Sequence, residues 1–495
     1  MDFTGNMLWL LALLPAFFAG LSLAMPSARA ALAAVAWGVP PIAALAAWAV
    51  LKVFRSGPLL SADGWLHLDA LSAYHLAVMM VVFVLSSLYA IPYFRHEPEQ
   101  HVLKRAPARR FAALWYGALG AMTMVLLSNN LGVMWVGVEA TTLLTAFLIC
   151  MHVSPVSLEA TWKYLIVCSV GVAFAFMGVL LVAASVGHVS ADPHLLHWTR
   201  MRQIAGTLNP RLLKMAFIFL LVGYGTKAGL APMHSWLPDA HSQAPAPVSA
   251  IFSGFMLNMA LYCIMRYLPL VEAAAGGPAW ASNLLVIFGL VSIMIAAVFI
   301  LAQHDLKRFL AYCSVEHLGI IALGLGLGPL GAFAALFHTL NHSVCKALGF
   351  FSAGRVGQIY GTHDMRQIRA SLKTAPLWGT GLFGSILALI GVAPFAIFMS
   401  ELLILKAAVE SGRYAAMAVF LLGAATVFVG ALRHAMDMAW GGKAEIAGPA
   451  ERPSVLERLV VVVPLLLILI LGLWMPPAFR RMLQAACAVL TGGGS

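Results

Sequence analysis

Charged residues are scarce in this chain of 495 residues. They make up 10% of the sequence, whereas hydrophobic residues make up 62%, and the mean hydropathy is +0.91. A soluble domain carries about 25% charged residues, and a soluble protein of this length has too little interior to bury so much apolar surface. The scarcity excludes a cytosolic enzyme, a disordered regulator and a nucleic-acid binder. It predicts that lipid surrounds most of the chain.

Cysteine is also rare, and its spacing excludes the common metal and redox sites. The sequence contains no C-x-x-C pair, so it offers no disulfide framework, zinc site or iron–sulfur ligand set. We therefore expect this chain to hold no cofactor and any redox chemistry to belong to another chain. The six cysteines are Cys150, Cys168, Cys263, Cys313, Cys345 and Cys487.

The formal net charge of +11 comes from basic residues in short loops between apolar runs. This distribution is typical of topology signals and of contacts with anionic lipids, and not of nucleic-acid binding. If both termini lie outside, the cytoplasmic loops hold more lysines and arginines than the outer loops. The positive-inside rule therefore predicts that both termini are outside.

Fourteen apolar stretches are long enough to cross about 30 Å of hydrocarbon as helices. They predict an all-α polytopic membrane protein whose first helix is retained, because that helix lacks the basic start and cleavage site of a signal peptide. The closing Gly-Gly-Gly-Ser at 492–495 is interpreted as a linker scar. The predicted spans are 6–24, 28–53, 66–92, 110–128, 131–151, 159–186, 211–235, 245–270, 280–302, 305–327, 329–357, 376–408, 413–440 and 455–475.

Ten ionisable residues fall inside these apolar stretches, where each costs from about 3 to over 10 kcal/mol at the bilayer centre. One buried charge can serve merely to hold two helices together. Ten residues of both signs, with imidazoles among them, favour a proton relay instead. They are Glu139, Lys163, Lys227, Glu316, His317, His338, His342, Lys346, Glu401 and Lys406.

Glycines and prolines interrupt two of the predicted spans beside ionisable residues. Gly225 and Pro232 flank Lys227 in the segment 223–232, and Gly391 and Pro394 precede Glu401. Transporters bind ions at such interruptions, in corresponding positions of two repeats. The two prolines lie 162 residues apart, a distance that suits a five-helix repeat. Two ordinary proline kinks are the alternative.

Three of the ionisable residues share one helical face. His338, His342 and Lys346 stand at i, i+4 and i+8. Imidazole titrates near neutral pH and both donates and accepts protons, so this face suits proton transfer. Metal binding is the alternative, although no carboxylate or cysteine accompanies the histidines at ligand spacing.

Three segments resemble the antiporter-like membrane subunits of respiratory complex I, the Mrp antiporters and the membrane-bound nickel–iron hydrogenases. The first is Lys-Ala-Gly-Leu-Ala-Pro-Met-His-Ser-Trp-Leu-Pro-Asp-Ala-His at 227–241, which continues to Ser249. The others are 305–319 and Phe-His-Thr-Leu-Asn-His-Ser-Val-Cys-Lys at 337–346. The resemblance runs from about residue 65 to 440, and it is greatest to component F of hydrogenase-4.

This resemblance implies two inverted five-helix repeats, helices 4–8 and helices 9–13, each with a broken helix. The corresponding divisions are 1–109 for helices 1–3, 110–270 and 280–440 for the two half-channel repeats, and 441–491 for helix 14 and the tail. It further implies a proton-translocating subunit in a bacterial inner membrane. Partners would be other membrane subunits and a peripheral redox module, which alone would carry nickel–iron and iron–sulfur centres or flavin.

The resemblance also implies roles for individual residues. Glu139 would pair with Lys227, while His317, His342 and Lys346 would connect the second half-channel to Glu401. Asn258 departs from the family pattern, because relatives in complex I commonly carry a lysine there. An amide orients water but holds no proton charge, so we expect a water-dependent connection at Asn258.

Three other functions remain open at this point. An Mrp-type sodium/proton antiporter subunit would share the same residues. A non-pumping membrane scaffold for a soluble catalytic module would not need the Glu139 and Lys227 pair. A relative recruited to couple ion flow to inorganic carbon uptake is the third.

Overall fold

The computed structural model describes residues 3–97, 103–186, 194–442 and 452–492, and most of them are helical. A two-residue antiparallel hairpin pairs β1 with β2 between α2 and α3. The elements are α1 Phe3–Leu23, α2 Ala28–Ser56, β1 Leu59–Leu60, β2 His67–Leu68, α3 Ala70–Arg95, α4 Arg105–Leu127, α5 Leu131–Ile149, α6 Pro155–Ala184, α7 Trp198–Ile204, α8 Pro210–Ala228, α9 Trp236–Gln243, α10 Ala246–Ile251, α11 Leu257–Ala275, α12 Ala279–Ala302, α13 Leu306–Leu325, α14 Gly328–Tyr360, α15 Ser371–Thr374, α16 Pro376–Leu389, α17 Ala396–Glu410, α18 Tyr414–Trp440, α19 Val455–Leu473 and α20 Pro477–Thr491.

Eleven helical segments of the described residues are long and apolar enough to cross a membrane. Their outward faces expose large apolar side chains such as Trp37, Phe147 and Trp162, as expected for contact with lipid. The predicted all-α polytopic membrane class is therefore confirmed. The remaining predicted spans correspond to α8, α14 and the pair α16 and α17. The count of fourteen and the inverted repeat stay predictions.

Side-chain caps fix where several of these helices begin. The Asn130 side chain accepts hydrogen bonds from the backbone amides of Gly132 and Val133 at the start of α5. Asp305 caps α13 in the same way, through the amide of Arg308 at 2.8 Å. Such caps satisfy backbone amides that the first helical turn leaves free. They also set the register of the helices that carry Glu139 and His317.

The chain leaves the helical conformation at both predicted interruptions. α8 ends at Ala228, and Gly229 adopts φ +75° before α9 begins at Trp236. α16 ends at Leu389, and Gly391 adopts φ +68° before α17 begins. A left-handed residue of this kind ends a helix, and glycine tolerates it best. Pro232 and Pro394 lie in these two connections, whereas Gly225 lies inside α8 and its carbonyl accepts from the Leu230 amide at 2.8 Å.

A π-helical turn at Phe252–Met256 joins α10 to α11 where the sequence predicts one continuous helix over 245–270. Such turns widen the helix and alter the backbone hydrogen bonding, and they are frequent at functional sites. The carbonyl of Gly254 in this turn accepts a hydrogen bond from the Asn258 side chain at 3.0 Å. The turn therefore holds Asn258 in place.

A buried ion pair joins the N-terminal helices to the first predicted repeat. Arg266 on α11 donates to both carboxylate oxygens of Asp69, at 2.6 and 2.8 Å, and its Nε donates to the Tyr262 hydroxyl at 2.8 Å. The guanidinium also lies 4.6 Å from the ring centroid of Trp198 on α7. Because the pair is bidentate and buried, it fixes the start of α3 against α11.

The C-terminal tail after α19, for which the sequence predicts no separate helix, forms the helix α20. α20 is amphipathic: Leu483, Ala486 and Leu490 are buried, while Arg480 and Arg481 are exposed. It packs against α3 and α14. Arg202 of α7 donates a hydrogen bond from Nη1 to the carbonyl of Val489 in α20 at 2.8 Å.

Candidate functional site

Lys227 is fully buried in the last turn of α8. Its Nζ donates to the Thr142 hydroxyl on α5 at 3.0 Å and to the Tyr164 hydroxyl on α6 at 2.6 Å. The Tyr164 hydroxyl is in turn 2.6 Å from the Thr145 hydroxyl. The helix break places Lys227 at a helix C-terminus, where unpaired carbonyls stabilise a positive charge. This arrangement holds a buried ammonium group beside a chain of hydroxyls.

Glu139 lies on α5, three residues before Thr142 and therefore on the same helical face. Its Oε1 accepts from the Ser169 hydroxyl on α6 at 2.9 Å, and its Oε2 has no hydrogen-bond partner among the described residues. No ion pair within 4.0 Å links Glu139 to Lys227 in the described part of the chain. Thr142 stands on the face between them, so the two charges interact at longer range.

Two lysines of the predicted relay lie apart from this group. Lys163 is 38% exposed and pairs with Asp239 of α9 and, at 3.9 Å, with Glu159. Asp239 also accepts from Arg308 Nη2 at 2.7 Å. Lys406 is 63% exposed and pairs with Glu410 one turn later. The structure therefore places Lys163 in a surface ion-pair group and not beside Lys227.

The histidines of the second half form a connected group. His317 Nδ1 on α13 is 2.8 Å from His338 Nε2 on α14, and His338 Nδ1 is 2.9 Å from the Ser400 hydroxyl on α17. The ring centroids of His317 and His342 are 5.3 Å apart. All three rings are buried, and both nitrogens of His342 lack a partner among the described residues. The group offers imidazole nitrogens for proton transfer from α17 to α14.

The geometry of this histidine group favours a hydrogen bond over a shared metal ion. Two nitrogens that ligate one tetrahedral zinc ion at about 2.0 Å lie about 3.3 Å apart. The His317 and His338 nitrogens are closer, at hydrogen-bond distance. Among the residues that the structure describes, no group of three or more His, Cys, Asp or Glu side chains is arranged to hold a metal ion.

Lys346, Glu316 and Glu401 complete the second group. Lys346 is buried and donates to the carbonyl of Leu310. Glu316 is buried and its Oε2 has no partner in the described structure. The Glu401 carboxylate lies against Gly391, where a Cβ would come within 2.3 Å of Oε2. The glycine at the second break therefore leaves the space that the carboxylate occupies.

Asn258 stands between the two groups. Its Nδ2 donates to the Ser343 hydroxyl on α14 at 2.9 Å, and its Oδ1 has no partner among the described residues. One turn earlier, the Ser253 hydroxyl is 2.7 Å from that of Ser314 on α13. The π-helical turn and the first turn of α11 thus each make one polar contact with the helices of the second predicted repeat.

His241 on α9 is a buried residue to which the sequence analysis assigned no role. Both of its ring nitrogens lack a partner in the described structure, and its ring stacks on Phe350 with centroids 4.9 Å apart. Lys346 Nζ lies 6.0 Å from the centroid of the same Phe350 ring. The His241 and Lys346 side chains therefore both lie beside the Phe350 ring. His241 ends the segment 227–241 that resembles the antiporter-like subunits, and this resemblance points to it. It lies between the predicted spans 211–235 and 245–270, where the sequence predicts a loop.

A family described as "NADH:quinone oxidoreductase/Mrp antiporter, TM" matches residues 128–427, which is more than half of the chain and includes every residue of both groups. The chain belongs to this family. The resemblance predicted from the sequence is thereby confirmed.

Individual members of the antiporter family extend the similarity. A hydrogenase-4 component F homolog of Methylacidiphilum infernorum is 38% identical over 330 residues, covering 65% of this chain and 68% of that protein. Hydrogenase-4 component B of Escherichia coli is 30% identical over 378 residues, covering 74% of this chain. The chain spans about half of that longer relative, 54% of its length.

A solved structure shares the fold over nearly the whole chain. A chain of the membrane-bound sulfane sulfur reductase, an archaeal respiratory membrane complex, superimposes with a TM-score of 0.86 at 26% identity. The match covers 98% of this chain and 97% of that chain. The helices outside the family match, including α1, α2 and α19, are therefore part of the shared fold.

Proposed function

We propose that this antiporter-family protein moves protons across the membrane as a subunit of a membrane-bound redox complex of the hydrogenase-4 type. Electron transfer in partner subunits drives the movement, and those partners hold the nickel–iron, iron–sulfur or flavin groups. The complex lies in a bacterial inner membrane with both termini of this chain outside. The similarity to hydrogenase-4 components supports this assignment.

The observation that carries the proposal is the series of buried side chains that can hold or pass a proton. Lys227 with its hydroxyl partners forms one end, and the His317, His338 and His342 group forms the other. Asn258 and His241 stand between them. Several nitrogens and oxygens in this series lack partners within the described part of the chain, which is costly in an apolar bundle unless water or a proton transfer satisfies them.

Charge coupling supplies the driving step. Two unit charges roughly 8 Å apart interact by about 2 kcal/mol at an effective dielectric near 20. Moving one charge against 100 mV requires about 2.3 kcal/mol. A change of charge at Glu139, caused by a partner, is therefore large enough to alter whether Lys227 keeps its proton. The hydroxyls of Tyr164 and Thr145 are placed to receive that proton.

The side-chain chemistry favours protons over sodium ions. Sodium, a hard cation, prefers oxygen ligands, as calcium and magnesium do. The second group includes the Glu316 and Glu401 carboxylates, but its hydrogen-bonded histidines and the Lys346 ammonium are nitrogen groups, which exchange protons instead. This argues for proton movement over the Mrp-type sodium/proton exchange that the same family includes.

Purification tests the proposal that the partner subunits, and not this chain, bind the redox cofactors. Expressed with its neighbouring genes, the chain is expected to purify in a complex that contains nickel, iron or flavin. Expressed alone, it is expected to bind none of them, because its described residues offer no ligand cluster. Elemental analysis and absorption spectra provide the measurement. Stoichiometric metal or flavin in the isolated chain would contradict the proposal.

A further inference from the structure

A cavity of about 770 Å³ opens where α2 begins and α3 ends. Its apolar wall comes from both helices and from a residue two positions before α4: Leu32, Ala33, Ile91, Phe94 and Leu103. Two arginines, Arg29 and Arg95, also line it. The cavity therefore combines an apolar interior with two guanidinium groups.

Both arginines are exposed and available to a ligand. Arg29 is in the first turn of α2 and Arg95 is the last residue of α3, so both lie at the same end of the bundle. Neither makes an ion pair or a side-chain hydrogen bond with the described residues. Glu97, two residues after Arg95, has its Oε1 3.0 Å from His152 Nε2. Among the residues that the structure describes, no carboxylate pairs with either arginine at the cavity.

The wall of the cavity is fixed by a contact from α4. Arg109 Nε donates to the carbonyl of Met25 at 2.5 Å, which ties the turn before α2 to α4. Arg109 is thus engaged in the structure, whereas Arg29 and Arg95 remain for another partner. α2 also begins with a capped turn, because the Ser27 hydroxyl accepts from the Ala30 amide at 3.1 Å.

We infer that this cavity binds an anionic phospholipid, with an acyl chain against the apolar wall and the phosphate between Arg29 and Arg95. Guanidinium groups bind phosphate oxygens in a paired geometry. Basic pockets between transmembrane helices are suited to anionic headgroups. The site does not depend on the proton pathway.

Lipid retention by the purified full-length chain tests this site. With phosphatidylglycerol and phosphatidylcholine of identical acyl chains, native mass spectrometry is expected to show one phosphatidylglycerol bound preferentially. Arg29→Ala should weaken its binding about fivefold, equivalent to about 1 kcal/mol. Arg29→Ala combined with Arg95→Ala should weaken it roughly 30-fold if the two contributions add. The control is Lys52→Ala with Arg55→Ala, which removes two exposed basic residues at the other end of α2 and should change nothing.

Two further measurements distinguish a phospholipid-binding site from a site that binds any small anion. Ala33→Phe fills the cavity and should reduce phosphatidylglycerol binding while both arginines remain. Inorganic phosphate should not displace the lipid, because it gains nothing from the apolar wall. Equal binding of the two lipids, an equal loss in the Lys52 and Arg55 control, or full displacement by phosphate would overturn the inference.

Discussion

Replacing Glu139 with glutamine is expected to reduce proton translocation at least tenfold while leaving folding and assembly intact. Glutamine has nearly the same size, and its side-chain oxygen still accepts the Ser169 hydroxyl that Glu139 Oε1 accepts at 2.9 Å. It carries no charge, so a partner can no longer use this position to act on Lys227. The Coulomb coupling through which the proposed driving step acts on Lys227, on the order of 1 kcal/mol or more at an effective dielectric near 20, is then lost.

Proton uptake by proteoliposomes that contain the assembled complex, followed with a pH-sensitive dye, measures this effect. Glu159→Gln is the matched control. Its side chain is 75% exposed and lies 3.9 Å from Lys163, and surface ion pairs of this kind contribute little. Normal proton translocation by the Glu139→Gln complex would show that Glu139 is not required for proton movement.

Replacing Asn258 with leucine is expected to slow translocation about tenfold. Leucine offers no hydrogen bond, so it leaves the Ser343 hydroxyl without the amide donor at 2.9 Å and excludes water from the gap between the two groups. An unsatisfied buried polar group costs about 1–3 kcal/mol, which corresponds to rate effects of this size. Replacing Asn258 with lysine should be tolerated, because the resemblance implies a lysine at this position in related subunits.

The Asn258 variants need a control for the loss of an amide as such. Asn283 on α12 is exposed, so Asn283→Leu should pump normally. Transport by the Asn258→Leu complex at the normal rate would show that protons do not pass this point. Each of the two predicted half-channels would then need its own entry and exit for protons.

Much of the helical architecture was predictable, because long apolar runs and helical periodicity dictate it. The spans that became α2, α6 and α18 follow directly from hydropathy. The His338, His342 and Lys346 face follows from the i, i+4 rule. The two helix breaks follow from glycine and proline in the sequence. The exact helix ends at Ala228 and Leu389 depend on the backbone hydrogen bonds that close each C-terminal turn.

What escaped prediction depends on contacts between distant segments. Lys163 was grouped with the buried relay because it stands in an apolar helix, but Asp239, 76 residues away, pairs with it at the surface. His241 falls between the predicted spans 211–235 and 245–270, and its stacking on Phe350 joins segments more than 100 residues apart. The π-helical turn that positions Asn258 has no sequence signature as clear as a proline.

The most direct test of the central claim is the ratio of protons translocated to electrons transferred in the assembled complex carrying Lys227→Met. Methionine fills a similar volume but can neither hold a proton nor donate to Thr142 and Tyr164, which Lys227 contacts at 3.0 and 2.6 Å. Lys406→Met, at a 63% exposed side chain, is the control and should leave the ratio unchanged. If the chain carries the proton, the ratio for Lys227→Met falls below about one-tenth of its normal value; an unchanged ratio would contradict the account.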